Sequence, residues 1–139
     1  MPRLTLLRHG RSFANEHLSL KPWNTTSFED CLTLRDSPLT PVGVTQAMSA
    51  TDKLRSVPSA SSATNKPPLI LVSPLSRTLQ TFQNAFRTPG NEIFEKSEVV
   101  ACPLLAERGY MQSDVGTPTS VLKEKVSHKQ QSRRREGAR

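Results

Sequence analysis

The chain has 139 residues, 35% of them hydrophobic and 5% aromatic, and a formal net charge of +7. That length bounds it to one domain with one core. Residues 123–139 hold seven Lys/Arg against two Asp/Glu, so +5 of the +7 lies in this tail and the body carries only +2; a basic surface spread over the whole chain is excluded.

In chain order, the first pattern is Leu4-Thr5-Leu6-Leu7 running into Arg8-His9-Gly10. Residues 4–7 read as a short buried strand, Gly10 as a tight turn, and Ser12 as the N-cap of a helix. Arg8, His9, Arg11 and Asn15 then crowd the carboxyl end of a strand beside a helix amino terminus. That is where α/β sheets bind ligands and where anions are favoured. Several cationic side chains so close together sharpen the expected ligand to phosphate.

Residues 17–36 are irregular and read as a loop or short helices, with Trp23 and Phe28 either lining a pocket or covering the core. As a long loop after the histidine-bearing turn, this stretch is placed to shape substrate choice. Thr40 and Pro41 predict the next helix start, with Val44, Ala47, Met48 and Leu54 near one face. Residues 56–68, rich in serine and proline, read as a solvated loop.

Leu69-Ile70-Leu71-Val72 reads as a strand covered on both faces. Ser73 is expected to cap the following helix, with Pro74 at its first position. Leu75, Leu79, Phe82 and Phe86 form its apolar stripe. Arg77 falls in its first turn, so the pattern of strand, turn and helix with a cation at the joint occurs twice. Parallel strands would bring Arg77 to face Arg8 and His9. After a turn at Pro89-Gly90-Asn91, residues 93–98 read as charged surface and residues 99–102 as a third strand, with Glu107 beyond its end. Residues 113–118 read as a turn and helix cap without chemistry. The class is α/β, with a mostly parallel sheet.

Four ordered segments, within residues 4 to about 122, carry a resemblance. Arg8-His9-Gly10 with Ser12 and Asn15, then Pro38-Leu39-Thr40 through Gly43 to Gln46-Ala47, then Ser73-Pro74-Leu75-Ser76-Arg77-Thr78-Leu79-Gln80-Thr81, and finally Leu105-Ala106-Glu107, together resemble the histidine phosphatase (phosphoglycerate mutase-like) superfamily. The resemblance implies a three-layer α/β fold with a mostly parallel sheet flanked by helices. It implies His9 as nucleophile, Glu107 as proton donor to the leaving group, and Arg8, Asn15 and Arg77 as phosphate ligands. No cofactor or metal is implied, and no metal-ligand spacing is found. The substrate is expected to be a phosphorylated small molecule.

The residue types suit that chemistry. A phosphate monoester carries about two negative charges, and arginine offers it a bidentate fork that lysine lacks. Guanidinium groups beside a histidine disfavour its protonated ring and keep it nucleophilic. Arg11 stands where many relatives carry an acid or amide, and is expected to point to solvent.

The resemblance also implies a later strand ending in a second histidine before glycine, which packs beside the first strand. Besides His9 the chain has His17, expected to face solvent, and His128, which no apolar strand precedes. The chain is therefore expected to be truncated at its carboxyl end, with residues 1–126 forming an incomplete domain and residues 127–139 a basic tail. Without the later strand, residues 4–7 would present an apolar edge. The expected activity is phosphomonoester hydrolysis through phosphohistidine. The alternatives are a phosphomutase and a catalytically impaired or inactive member that at most binds phosphate. The tail admits a nuclear-import or nucleic-acid patch as a lesser reading, although no aromatic follows Tyr110 to stack on bases. Cys31 and Cys102 form neither a disulfide framework nor a metal spacing, and no signal peptide or membrane-length apolar run is read; the expected location is cytoplasmic.

Overall fold

A computed structural model of the chain describes residues 4–21, 23–25, 27–56, 68–86, 97–107 and 111–121; for Trp23, Phe28 and Cys31 only the backbone is described. The expectations for the Ser/Pro loop beyond residue 56, the turn at 89–91, His128 and the tail lie largely or wholly outside these residues. So does the suggestion that Trp23 and Phe28 line a pocket.

Helix α1 (Phe13–Leu20) begins where the sequence predicts. Ser12 is its N-cap and closes a capping box with Asn15. The stretch after it holds a 3-10 turn (Trp23–Thr25) and a short helix α2 (Phe28–Thr33), which Ser27 caps in the same way. Helix α3 (Pro41–Arg55) starts on Thr40, whose hydroxyl accepts from the Gly43 amide, with proline at the first turn. Its buried row is Gly43, Ala47, Thr51 and Leu54, whereas Met48 is exposed. The predicted face is rotated by about a residue, because α3 turns its smallest side chains toward its neighbours.

Strand β1 (Leu69–Val72) pairs in parallel with strand β2 (Glu98–Ala101), Leu69 opposite Glu98 and Val72 opposite Ala101. Helix α4 (Ser76–Phe86) lies between them in sequence, as a parallel pair requires of its crossover. The described fold is thus α/β with a two-stranded parallel sheet. Strand β2 starts one residue earlier than expected, at Glu98. The sheet is less enclosed than its composition predicts: Leu69 is 59% exposed and only Val72 of β1 is buried.

Residues 4–7 form no strand, and Leu4 and Leu6 are more than 80% exposed. An apolar run becomes a strand only beside a partner that completes its hydrogen bonds, and β1 pairs with β2 alone among the described residues. The segment is first anchored at Gly10, whose amide donates to Thr81 Oγ1 at 3.1 Å.

Helix α4 also differs from its predicted face. Leu75, just before the helix, is buried as expected, but the buried row of the helix itself is Arg77, Thr81 and Ala85, four residues apart, while Leu79, Phe82 and Phe86 are half-buried. The helix turns the chemistry-bearing row inward and leaves Phe82 and Phe86 stacked on its flank, ring centroids 5.3 Å apart. Ala47 of α3 and Ala85 of α4 are almost fully buried. Thr51 Oγ1 donates to the Ala85 carbonyl at 3.1 Å, tying the two helices together.

Ser73 does not cap α4; it is buried with its hydroxyl unpaired among the described residues. Asp36 does that work from across the chain. Its carboxylate accepts from the Ser76 amide at 2.7 Å and the Ser76 hydroxyl at 2.8 Å. Asp36 has φ 44°, a left-handed conformation that aspartate tolerates better than most residues.

Gly10 and Gly43 meet backbone to backbone. A Cβ on Gly10 would land on the Gly43 carbonyl oxygen, and one on Gly43 on the Arg11 carbonyl oxygen. Gly10 is needed for this approach and not for a positive φ. The Arg11 carbonyl cannot easily retreat, because Thr40 donates to it from both its amide (2.9 Å) and its hydroxyl (3.2 Å). Gly43→Ala would gain about 1 kcal/mol of helix propensity, but the overlap should cost more, for a net loss of about 1–3 kcal/mol. Urea unfolding checks this; an unchanged or raised midpoint would contradict the close contact.

Candidate active site

The site lies at the carboxyl ends of β1 and β2, where Arg77 follows one strand and Glu107 the other. Arg77 is 3% exposed. Its Nη1 donates to the Ser113 carbonyl at 2.7 Å, and its Nη2 to Glu107 Oε2 at 3.0 Å and Asp114 Oδ1 at 2.8 Å. Of the five guanidinium N–H groups, three are held by described residues. The two carboxylates differ in setting: the Glu107 side chain is 66% exposed and that of Asp114 12%. The exposed pair contributes little to stability, whereas the buried one cannot be broken cheaply.

His9 is half-buried, and its Nδ1 lies 2.7 Å from the Gly10 carbonyl oxygen. A carbonyl only accepts, so Nδ1 carries the proton and the lone pair of the neutral ring sits on Nε2. Burial pushes the His9 pKa below its ordinary 6.5. The Gly10 hydrogen bond opposes that shift, the Arg77 and Arg8 charges add to it, and the Glu107 charge opposes it. Arg77, Arg8 and Glu107 are therefore close enough for His9 to feel their charge. Arg8 is exposed and makes no ion pair among the described residues.

The other expected residues are placed as follows. Asn15 spends Oδ1 on the Ser12 amide (3.1 Å) and hydroxyl (3.0 Å), so its oxygen builds the helix start. Arg11 turns away to Ser19 Oγ and Glu16. His17 does not face solvent: its side chain is 25% exposed, with Nε2 4.0 Å from Asp30 Oδ2. The reason is local: Asp30 of α2 lies beside the ring and is itself paired with Lys21, just past the end of α1, at 2.9 Å. The Lys21 and Ser27 hydrogen bonds hold Asp30 at a pKa of about 2.

Three residues without an assigned role in the sequence prove central. Ser113 and Asp114, in a 3-10 turn (Gln112–Asp114), are partners of the buried Arg77. Asp36 ties that turn to α4, because it also accepts from the Thr117 amide at 2.9 Å and from the Thr117 hydroxyl. The usable signal is chemical: an arginine on the buried row of a helix demands an acid, and Asp114 follows the sheet as Glu107 does.

Burial raises the Asp36 pKa, but the Thr117 and Ser76 hydrogen bonds outweigh it and leave the value below 3.8. A depressed carboxyl pKa gives stability that is full above the unfolded value and is lost as pH falls through the folded one. Wild type should therefore lose stability below about pH 4, and Asp36→Asn should lack that component. At neutral pH the substitution should cost about 1.5–3 kcal/mol. Unfolding free energies across this range test it; parallel profiles for the two proteins would refute it.

Among the described residues, no three or more metal-ligating side chains gather, and no helix is long and apolar enough to cross a membrane. A comparison with curated proteins finds no match. A family model does match, and it runs through residue 139, past the end of the four recognised segments. With residues 4–139 matched, the chain belongs to the histidine phosphatase superfamily, branch 1.

Proposed function

We propose that the chain is a phosphomonoester hydrolase that works through a phosphohistidine on His9. Membership in the family points to phosphatase or mutase chemistry through that intermediate. The observation that carries the reading is the state of His9: Nδ1 is committed to the Gly10 carbonyl, so the Nε2 lone pair is available beside Arg77 and Arg8. A three-layer, mostly parallel sheet is the matching architecture, and the parallel β1–β2 pair with α4 as crossover supports it. In the same reading residues 1–126 are the domain and residues 127–139 a tail.

Arg8, Arg77 and Asn15 hold the phosphoryl oxygens. His9 Nε2 attacks phosphorus, the P–O bond to the leaving group breaks, and Glu107, which takes up a proton as the bound phosphate replaces it on Arg77, gives that proton to the departing alkoxide. Water then attacks the phosphohistidine and loses a proton to Glu107. Inorganic phosphate leaves, and neutral His9 returns.

Incubation of the full chain with a 32P-labelled phosphomonoester, followed by quenching, tests the reading. Label on His9 that is stable to alkali and labile to acid is expected. Because the His9 pKa is depressed, the neutral, attacking ring persists as pH falls to 6.5, and labelling should decline only below that. Folded protein that never acquires such label would overturn the proposal.

A further inference from the structure

Two side chains outside the reacting set clamp the backbone that holds His9. The Gly10 amide donates to Thr81 Oγ1 at 3.1 Å, and that hydroxyl donates onward to the Arg77 carbonyl at 2.8 Å. Thr81 is 4% exposed and lies on the same row of α4 as Arg77. The next amide, that of Arg11, donates to Gln46 Oε1 of α3 at 2.9 Å. No peptide bond here is cis. In a planar trans peptide the N–H and C=O point in opposite directions. With its N–H held by Gln46, the Gly10–Arg11 peptide must aim the Gly10 carbonyl the other way, toward His9 Nδ1, 2.7 Å distant. The peptide plane before Gly10 is fixed by Thr81 and the plane after it by Gln46. Gly10 is the one flexible joint between them, and the Gly43 carbonyl blocks any side chain there.

We propose that Thr81 and Gln46 are positioning residues that set the tautomer of His9: by fixing the two peptide planes around Gly10, they keep the proton on Nδ1 and the lone pair on Nε2. Neither touches the substrate. The same Thr81 hydroxyl links the nucleophile's turn to the arginine's own backbone, so both are placed by one helix. The inference rests on the reading that His9 Nε2 attacks phosphorus, but its main readout needs no substrate.

The test is a long-range proton–nitrogen correlation spectrum of the 15N-labelled full chain above pH 6.5, with His9 assigned by its loss in His9→Gln. Wild type should show a protonated Nδ1 and an unprotonated Nε2. Thr81→Val, similar in shape but without the hydroxyl, and Gln46→Leu should each shift His9 toward the Nε2–H form. Single-turnover labelling should fall with it by about 10- to 100-fold, and the KM should change far less, because Arg8 and Arg77 remain. Thr81→Ser, which keeps the hydroxyl, should restore the wild-type spectrum. A wild-type imidazole spectrum in folded Thr81→Val would overturn the proposal. If Thr81→Val does not fold, the same spectrum in Gln46→Leu would overturn it. Absence of label on wild-type protein, with the tautomer still shifting in the variants, would reject phosphohistidine chemistry alone and leave the clamp standing.

Discussion

His9→Ala is expected to bring phosphomonoester turnover to the uncatalysed background while binding of inorganic phosphate stays within about tenfold of wild type. The split follows from the division of labour at the site. In the proposed reaction His9 is the only group that forms a bond to phosphorus, so its loss removes the covalent route entirely. Its neutral Nε2 carries a lone pair and no proton, and so gives no hydrogen bond to a phosphate oxygen. Binding rests on the guanidinium groups, and Arg77 is held by Ser113, Glu107 and Asp114 whether or not His9 is present. Turnover assays and titration calorimetry on the two proteins make the comparison. Turnover at the wild-type rate would end the phosphohistidine account. A large parallel loss of phosphate binding would show that the ring positions the arginines as well as attacking.

Much of this site was legible in the sequence, and for a physical reason. Its residues sit at element boundaries, where caps and turns have strong local signatures. Ser12 with Asn15, and Thr40 with Pro41, start the two helices as read. Arg77 and Glu107 come together because each follows a strand that ends at the same edge, whereas His9 is brought to them by the Gly10 amide on Thr81 of α4. What failed was what depends on distant partners. Residues 4–7 have the composition of a strand but no ladder to join. Ser73 has the side chain of an N-cap, yet Asp36, forty residues before Ser76, reaches the helix start instead. On α4, hydrophobicity favours Leu79, Phe82 and Phe86 for the inner face, whereas the row placed inside is Arg77, Thr81 and Ala85. An apolar stripe predicts burial only when no polar row has a buried partner waiting. Asp114 is that partner, 37 residues after Arg77, a separation that helical periodicity does not report.

Arg77→Ala should be the most damaging single change to stability, and the reason lies in what it leaves behind. Asp114, only 12% exposed, would keep its charge without its cation. Breaking a buried pair from one side costs about 3–5 kcal/mol, a large part of the roughly 5–15 kcal/mol that holds a domain together. Glu107, 66% exposed, would simply be hydrated and adds little to that cost. Phosphate binding should fall as well, through loss of the buried fork and not through instability alone. The double variant Arg77→Ala/Asp114→Asn separates the two effects. Removing the orphaned charge should recover much of the lost unfolding free energy, because the two sites share one interaction and cannot be additive. It should recover none of the phosphate affinity, since no guanidinium has returned. Arg77→Lys should fall between: it keeps the charge, but one ammonium cannot replace a planar fork that spans Ser113, Asp114 and Glu107. Denaturant unfolding and phosphate titration on the three variants decide the matter. If Asp114→Asn rescued binding together with stability, the role of Arg77 would be structural, and the phosphate would have to be held by Arg8 and Asn15 alone.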